Sequence, residues 1–279
     1  MKKILLAIDA EHLYTEVIHF ACTIATQTHS TLTGYFLTDY REEEQVINMA
    51  FGMPYVETLV AKEIPGNVVI KQQLEEYIRL FEKMCAVKGV RCQVLCNNAQ
   101  FAIETMLEES RFADLLIMPA TMSFEKKEEE APTGFVKEVL AAAECPVLVA
   151  PQRLEKIDEI VFAYDGSRSA VFAIKQFTYL FPELSDKKAI VLQVNKDEGM
   201  SVTEKEKIGK WLRMHYSSIG FQVLHGKPAD ELNAYLLGKQ NTIVVMGAFG
   251  RGWLSGLFKP ATAGILLKTV NLPFFITHY

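Results

Sequence analysis

The stretch "IDEIVFAYD" (residues 157–165) is an apolar run closed by an aspartate, and the chain has used that pattern once before, in "KKILLAID" (2–9). The likeness continues outward. "CQVLCNNAQFAIETMLEESRFADLLIMPA" (92–120) lines up with "FQVLHGKPADELNAYLLGKQNTIVVMGA" (221–248) across a single gap, and "CPVLVAP" (145–151) matches "LPFFITH" (272–278). A period of this length means two copies of one domain-sized unit. The spacing sets the domains at 1–152 and 153–279, joined around "PQRLEKID" (151–158). Extra length in the first copy, centred on 41–70, reads as an inserted helix and loop over the sheet.

Within a copy, short apolar runs alternate with helical patterns. In the second, "EIVFAYD", "AIVLQVN", "FQVLHG", "TIVVMGA" and "PFFIT" read as strands. Between them, "SRSAVFAIKQFTYLF", "VTEKEKIGKWLRMHYSSIG", "PADELNAYLLGKQ" and "TAGILLKTV" read as helices. Ser167 or Ser169 can start the first helix, and Pro228 with Asp230 opens the third. Strand and helix in alternation specify a parallel sheet covered on both faces. The expected fold class is α/β, two tandem doubly wound open parallel-sheet domains of Rossmann-like type.

Bulk properties narrow the function. The 279 residues are 49% hydrophobic and 23% charged, with a formal net charge of -5. No clustered basic face for nucleic acid or anionic membrane is visible in this balance. The opening "MKKILLAIDAEH" loses its apolar run at Asp9, too soon for a signal peptide, and no run approaches a membrane span, so a cytoplasmic protein is expected. Five cysteines, an odd number scattered through the first half, read as free structural thiols in a reducing compartment. No metal-ligand cluster, no Gly-Lys-Ser/Thr loop and no paired nucleophile and base is present, so no catalytic residue is assigned.

In an open α/β sheet, ligands bind beyond the carboxyl ends of the strands, where the strand order reverses. In the second copy those ends supply Asp165, Val194, His225, Met246 and Gly247. An aspartate followed by Gly-Ser can accept from a ribose hydroxyl or an adenine amine, or it can organise the start of the next helix; both readings stand. His225 is alone at its strand end and reads as a loop residue. In "VVMGAFGRGWLSGLFKPATAG" (244–264), Gly247 and Gly250 allow close backbone approach to an anion. The competing reading is a turn that merely lets strand and helix pack.

Taken in order, "IVFAYDGSRSA" (160–170), "VLHGKPADEL" (223–232) and "VVMGAFGRGWLSGLFKPA" (244–261) resemble the universal stress protein family. The first copy resembles a more diverged member, so the whole chain resembles a tandem one. The resemblance implies an adenine nucleotide alpha hydrolase-like fold whose halves pack through their last strands as an internal pseudo-dimer. It also implies ATP or AMP as ligand in the second domain. Asp165 would face adenine, Val194 would flank it, and Met246, Gly247 and Gly250 would begin the phosphate loop. The family's second Gly-Ser/Thr pair falls on Pro260 and Ala261, with Thr262 one residue late.

Proline removes one donor and alanine one hydroxyl, about 1.5 to 3 kcal/mol each toward a charged acceptor. Weak binding is therefore expected, with Thr262 and the helix N–H groups in partial compensation. In the first copy, ungapped alignment puts Pro119 and Met122 in place of the two glycines and crowds the loop with Glu128, Glu129 and Glu130. No nucleotide is expected there. The functional expectation is a non-enzymatic stress-response protein. The alternative is a nucleotide-independent protein-interaction or small-ligand module with both loops degenerate, using Phe249, Trp253, Leu257 and Phe258. Neither nucleic acid nor membrane is an expected partner, and homodimerisation of the whole chain is compatible with either reading.

Overall fold

The computed structural model describes residues 1–38, 65–98, 101–124, 129–154, 156–195, 202–247, 266–267 and 269–277. Ten strands form one sheet. The first half contributes β1 (Lys3–Asp9), β2 (Thr31–Thr38), β3 (Cys92–Asn98), β4 (Leu115–Pro119) and β5 (Val147–Ala150). The second contributes β6 (Glu159–Ala163), β7 (Lys188–Asn195), β8 (Ser218–His225), β9 (Thr242–Gly247) and β10 (Phe274–Thr277). The order is β3-β2-β1-β4-β5-β10-β9-β6-β7-β8. Each half thus repeats one order, and the strand order reverses between β1 and β4 and again between β6 and β9.

All pairings are parallel except one. At the seam, β10 runs antiparallel to β5, with Phe274 opposite Val149, Phe275 opposite Leu148 and Ile276 opposite Val147. Two apolar edge strands that would otherwise expose unpaired backbone groups cover each other. The last strands of the two halves therefore join them into an internal pseudo-dimer, as expected.

Strand alternation decides which helices lie where. Ile4, Leu6 and Ile8 of β1, and Ile160 and Phe162 of β6, face α1 (Thr15–Gln27), α2 (Pro65–Val87), α5 (Arg168–Leu180) and α6 (Val202–Leu212). Leu5, Ala7, Val161 and Ala163 face α3 (Ala102–Ser110), α4 (Gly134–Ala142), α7 (Pro228–Leu237) and the helical residues Leu266 and Leu267. Both cores run across the seam. On the first face Phe275 of β10 meets Phe177 of α5 at 5.2 Å between ring centroids, and Phe177 stacks on Phe181 at 4.8 Å. Such pairs add about 0.5 to 1.5 kcal/mol each beyond their burial.

Two local expectations change. The helix expected over "VTEKEKIGKWLRMHYSSIG" ends at Leu212, and Ser218–Gly220 instead open β8, where Ser218 pairs with Lys188 and Ile219 with Ala189. Ladder bonds to β7 outweigh the helical pattern there. Of the two serines that could cap α5, Ser167 does so, accepting from the Ala170 N–H at 3.1 Å. In the inserted segment, α2 starts at Pro65, and residues 39–64 lie outside the described part.

Candidate functional site

In the second half the strand ends converge where the order reverses. β6 pairs Ala163 with Leu192 of β7 and Phe162 with Val245 of β9. Carried forward, that register sets Asp165 level with Val194 and brings Met246 and Gly247 beside Ala163 and Tyr164. Four of the sequence-identified residues, Asp165, Val194, Met246 and Gly247, thus share one edge of the sheet. The other three, Gly250, Ala261 and Thr262, lie outside the described residues, as do Pro260 and the loop aromatics.

Asp165 is partly exposed. Its Oδ1 accepts from the Ser167 N–H at 2.9 Å, closing a turn over Gly166, whose φ of +77° is left-handed. Among the described residues Oδ2 has no hydrogen-bond partner. The helix-start reading of this aspartate thus holds through one of its two oxygens. Burial first, then the Glu204 and Asp165 carboxylates, push the neighbouring Tyr164 phenol above its ordinary pKa. Val194 is buried with its backbone at the strand end, and Met246 belongs to the core.

Gly247 has a packing role of its own. A Cβ there would lie 2.3 Å from Ser169 Oγ and 2.5 Å from the Ser169 carbonyl carbon, so the first turn of α5 backs directly onto the end of β9. Only glycine fits this approach. Ser169 enters the sequence reading solely as a helix cap, yet among the described residues its buried Oγ has no hydrogen-bond partner. A buried orphan hydroxyl calls for an explanation. Arg168, exposed at the start of α5 three residues after Asp165, is a cation that sequence reasoning passed over. His225 is exposed and closes β8 opposite Asn195 of β7, so it is a strand residue where a loop residue was expected.

The first half shows the same architecture closed. Asp9 makes the matching turn, accepting from the Glu11 N–H at 2.8 Å, but its second oxygen is taken by His12 Nδ1 at 3.2 Å. His12 stands where Arg168 stands in the second half. Leu13 and Pro119, the counterparts of Ser169 and Gly247, help line what remains, a cavity of about 10 Å³. That is room for about one water molecule.

In the acidic loop of the first half, Glu128 lies outside the described residues, and Glu129 is partly buried and bonded within the chain. Its Oε2 accepts from Ser123 Oγ at 2.6 Å and its Oε1 from the Gly134 N–H at 3.1 Å. Those bonds, the Ser123 hydroxyl first, hold its carboxyl below the usual range. Thr133, at the position of Ala261, caps α4 by accepting from the Val136 N–H and donates to the Met122 carbonyl. A carboxylate of the chain itself thus occupies the anion position at this helix start.

No family model matches the chain. It is 19% identical to a universal stress protein of Synechocystis sp. over 283 aligned positions, covering 98% of each chain. Its structure superposes on that of a universal stress protein from Archaeoglobus fulgidus with a TM-score of 0.71 at 11% identity, covering 98% of both chains. The chain has the fold of a tandem universal stress protein. A Pseudomonas aeruginosa protein of unknown function shares that fold, with a TM-score of 0.59 at 17% identity over the whole of this chain and 92% of the other. Within the tandem universal stress protein fold, the two reversal points are the equivalent crevices, and this chain fills one from within.

Among the described residues no group of His, Cys, Asp and Glu is arranged to hold a metal ion, and no helix is long and apolar enough to cross a membrane.

Proposed function

We propose that this chain is a non-enzymatic stress-response protein of two domains, 1–152 and 153–279, whose second domain alone binds an adenine nucleotide. The observation that carries this reading is the difference between two equivalent aspartates. Among the described residues Asp165 keeps one carboxylate oxygen without a partner, whereas both oxygens of Asp9 are engaged. Asp165 accepts from the adenine amine or a ribose hydroxyl, and the backbone of Val194 and Met246 flanks the base. Gly247 and Gly250 bring main-chain N–H groups toward the phosphates, and Ala261 and Thr262 offer N–H groups and one hydroxyl at the next helix start. The orphan Ser169 hydroxyl supports a polar ligand in the same crevice.

Binding is weak because Pro260 and Ala261 lack a donor and a hydroxyl. Their loss amounts to about two to four orders of magnitude in affinity. Mass spectrometry of freshly purified, then denatured protein, with calorimetric titration of ATP and AMP, tests the proposal. The expected result is saturable binding in the high micromolar to millimolar range; no heat at millimolar nucleotide overturns it.

A second reading has its own support. A groove of about 770 Å³ lies at the seam between the halves, lined by Tyr14, Thr121, Gln152, Arg153, Thr269 and Asn271 among others. It suits a nucleotide-independent small-ligand module. Ligand binding that survives Asp165→Ala unchanged favours this reading over the first.

A further inference from the structure

On the helical face of the first half, far along the chain from either crevice loop, two thiols meet inside the core. Cys22 of α1 and Cys85 in the last turn of α2 are both fully buried, with their Sγ atoms 3.7 Å apart. A third thiol, Cys92 at the start of β3, is partly exposed and packs against the same core, near enough to help hold the Cys85 thiol above its ordinary pKa. Sulfur atoms in contact need to close by less than 2 Å to reach a bond length of about 2.05 Å.

The duplication supplies an internal control. Thr178 of α5 stands as far beyond Asp165 as Cys22 stands beyond Asp9, and its hydroxyl meets the Tyr216 phenol at 3.0 Å, just past the end of α6. Each half ties its first helix to the end of its second by one buried polar contact. Only the first half builds that contact from sulfur.

We propose that Cys92, Cys85 and Cys22 form a relay that reacts with hydrogen peroxide and ends in a disulfide between Cys22 and Cys85. Cys92, the accessible member, attacks one peroxide oxygen as thiolate. The O–O bond breaks, hydroxide leaves, and Cys92 becomes a sulfenic acid. The Cys85 sulfur then attacks the Cys92 sulfur. An S–S bond forms, and the sulfenic hydroxyl departs with the Cys85 proton as water. Last, the Cys22 thiolate attacks Cys85, and Cys92 leaves as a thiolate that regains a proton. In sum, two thiols and one peroxide give one disulfide and two waters. The Cys85 hydrogen bond, aided by the Lys88 charge, lowers the Cys22 pKa against the effect of burial, which favours Cys22 as the final nucleophile; the same contact and burial raise that of Cys85, which therefore attacks as the thiol and gives up its proton in the step. The product covalently links α1 to α2 across the inserted segment.

The test is peroxide treatment of the full chain, removal of the peroxide and denaturation, followed by thiol titration of one portion and alkylation with non-reduced peptide mapping of another. Titratable thiols are expected to fall from five to three. The intact mass should drop by two hydrogens, and a single peptide pair should link Cys22 to Cys85. Cys92→Ser should slow formation by about tenfold or more, since the buried pair then lacks its accessible member. Cys22→Thr, which copies Thr178, should stop the relay at a Cys85–Cys92 disulfide. Five remaining thiols, oxygen adducts without a Cys22–Cys85 link, or an unchanged rate in Cys92→Ser each overturn the proposal.

Discussion

The two points where this sheet reverses its strand order are built alike and completed differently. Each half reverses its strand order beside an aspartate that closes a turn with its own backbone. In the first half His12 takes the remaining oxygen of Asp9, Pro119 stands at the strand end, and Glu129 sits at the α4 start. In the second, Gly247 admits the first turn of α5, and among the described residues one oxygen of Asp165 and the buried Ser169 hydroxyl have no partner. The difference teaches that one turn geometry, an aspartate closing on its own backbone, can be completed by the chain itself. In the first half a histidine ring nitrogen meets the second oxygen of Asp9 and a carboxylate accepts at the helix start.

The sharpest way to break this comparison is to exchange the aspartates' roles. Asp165→Ala removes a charged acceptor from the crevice and should weaken nucleotide binding by about 1.5 to 3 kcal/mol, roughly ten- to a hundredfold, as read by calorimetry. Asp9→Asn should leave affinity unchanged while lowering unfolding stability by about 1 kcal/mol, because two internal bonds are disturbed.

Gly247→Ala comes next. Its new methyl meets Ser169 backbone that has no room to yield, and a cost of about 1 to 3 kcal/mol in urea unfolding is expected. Ser169→Ala should relieve little of it, since the carbonyl carbon lies as near as the hydroxyl. Full recovery in the double variant would assign the close approach to the side chain alone.

Smaller is the effect of Glu129. Its folded-state pKa is lowered, so the stability it contributes is complete above its ordinary carboxylate value and fades as pH falls through the lowered one. Glu129→Gln should cost about 1 kcal/mol or less at neutral pH and flatten the acid limb of the stability curve. Smallest of all, Tyr216→Phe removes one donor to Thr178, which itself donates to the Ile174 carbonyl at 2.7 Å, and should cost about 0.5 to 1 kcal/mol.

Much of the architecture was legible in the sequence because duplication and alternation are global signals. The paired "KKILLAID" and "IDEIVFAYD", read with the strand and helix periods, lead directly to two doubly wound halves and to the seam between "PVLVA" and "PFFIT". The site was legible only in part. Asp165, Val194, Met246 and Gly247 come together because all four end strands, and strand ends are fixed by topology.

What sequence could not show depends on side-chain choices among near neighbours. His12, three residues after Asp9, offered a signal in the Asp-x-x-His spacing, but nothing local says whether such a pair forms or points apart. Glu129 looked like repulsive charge because its partners, Ser123 and the Gly134 N–H, are close only after the loop has folded. The thiol pair was invisible for the same reason: Cys22 and Cys85 belong to helices separated by the inserted segment.

The most direct measurement is a calorimetric titration of the full chain with ATP, run in parallel on wild type, Asp165→Ala and Asp9→Asn. One nucleotide per chain is expected, with affinity weakened at least tenfold in Asp165→Ala and unchanged in Asp9→Asn. Two equivalents per chain, or equal affinity in wild type and Asp165→Ala, would contradict the assignment of one open and one closed crevice.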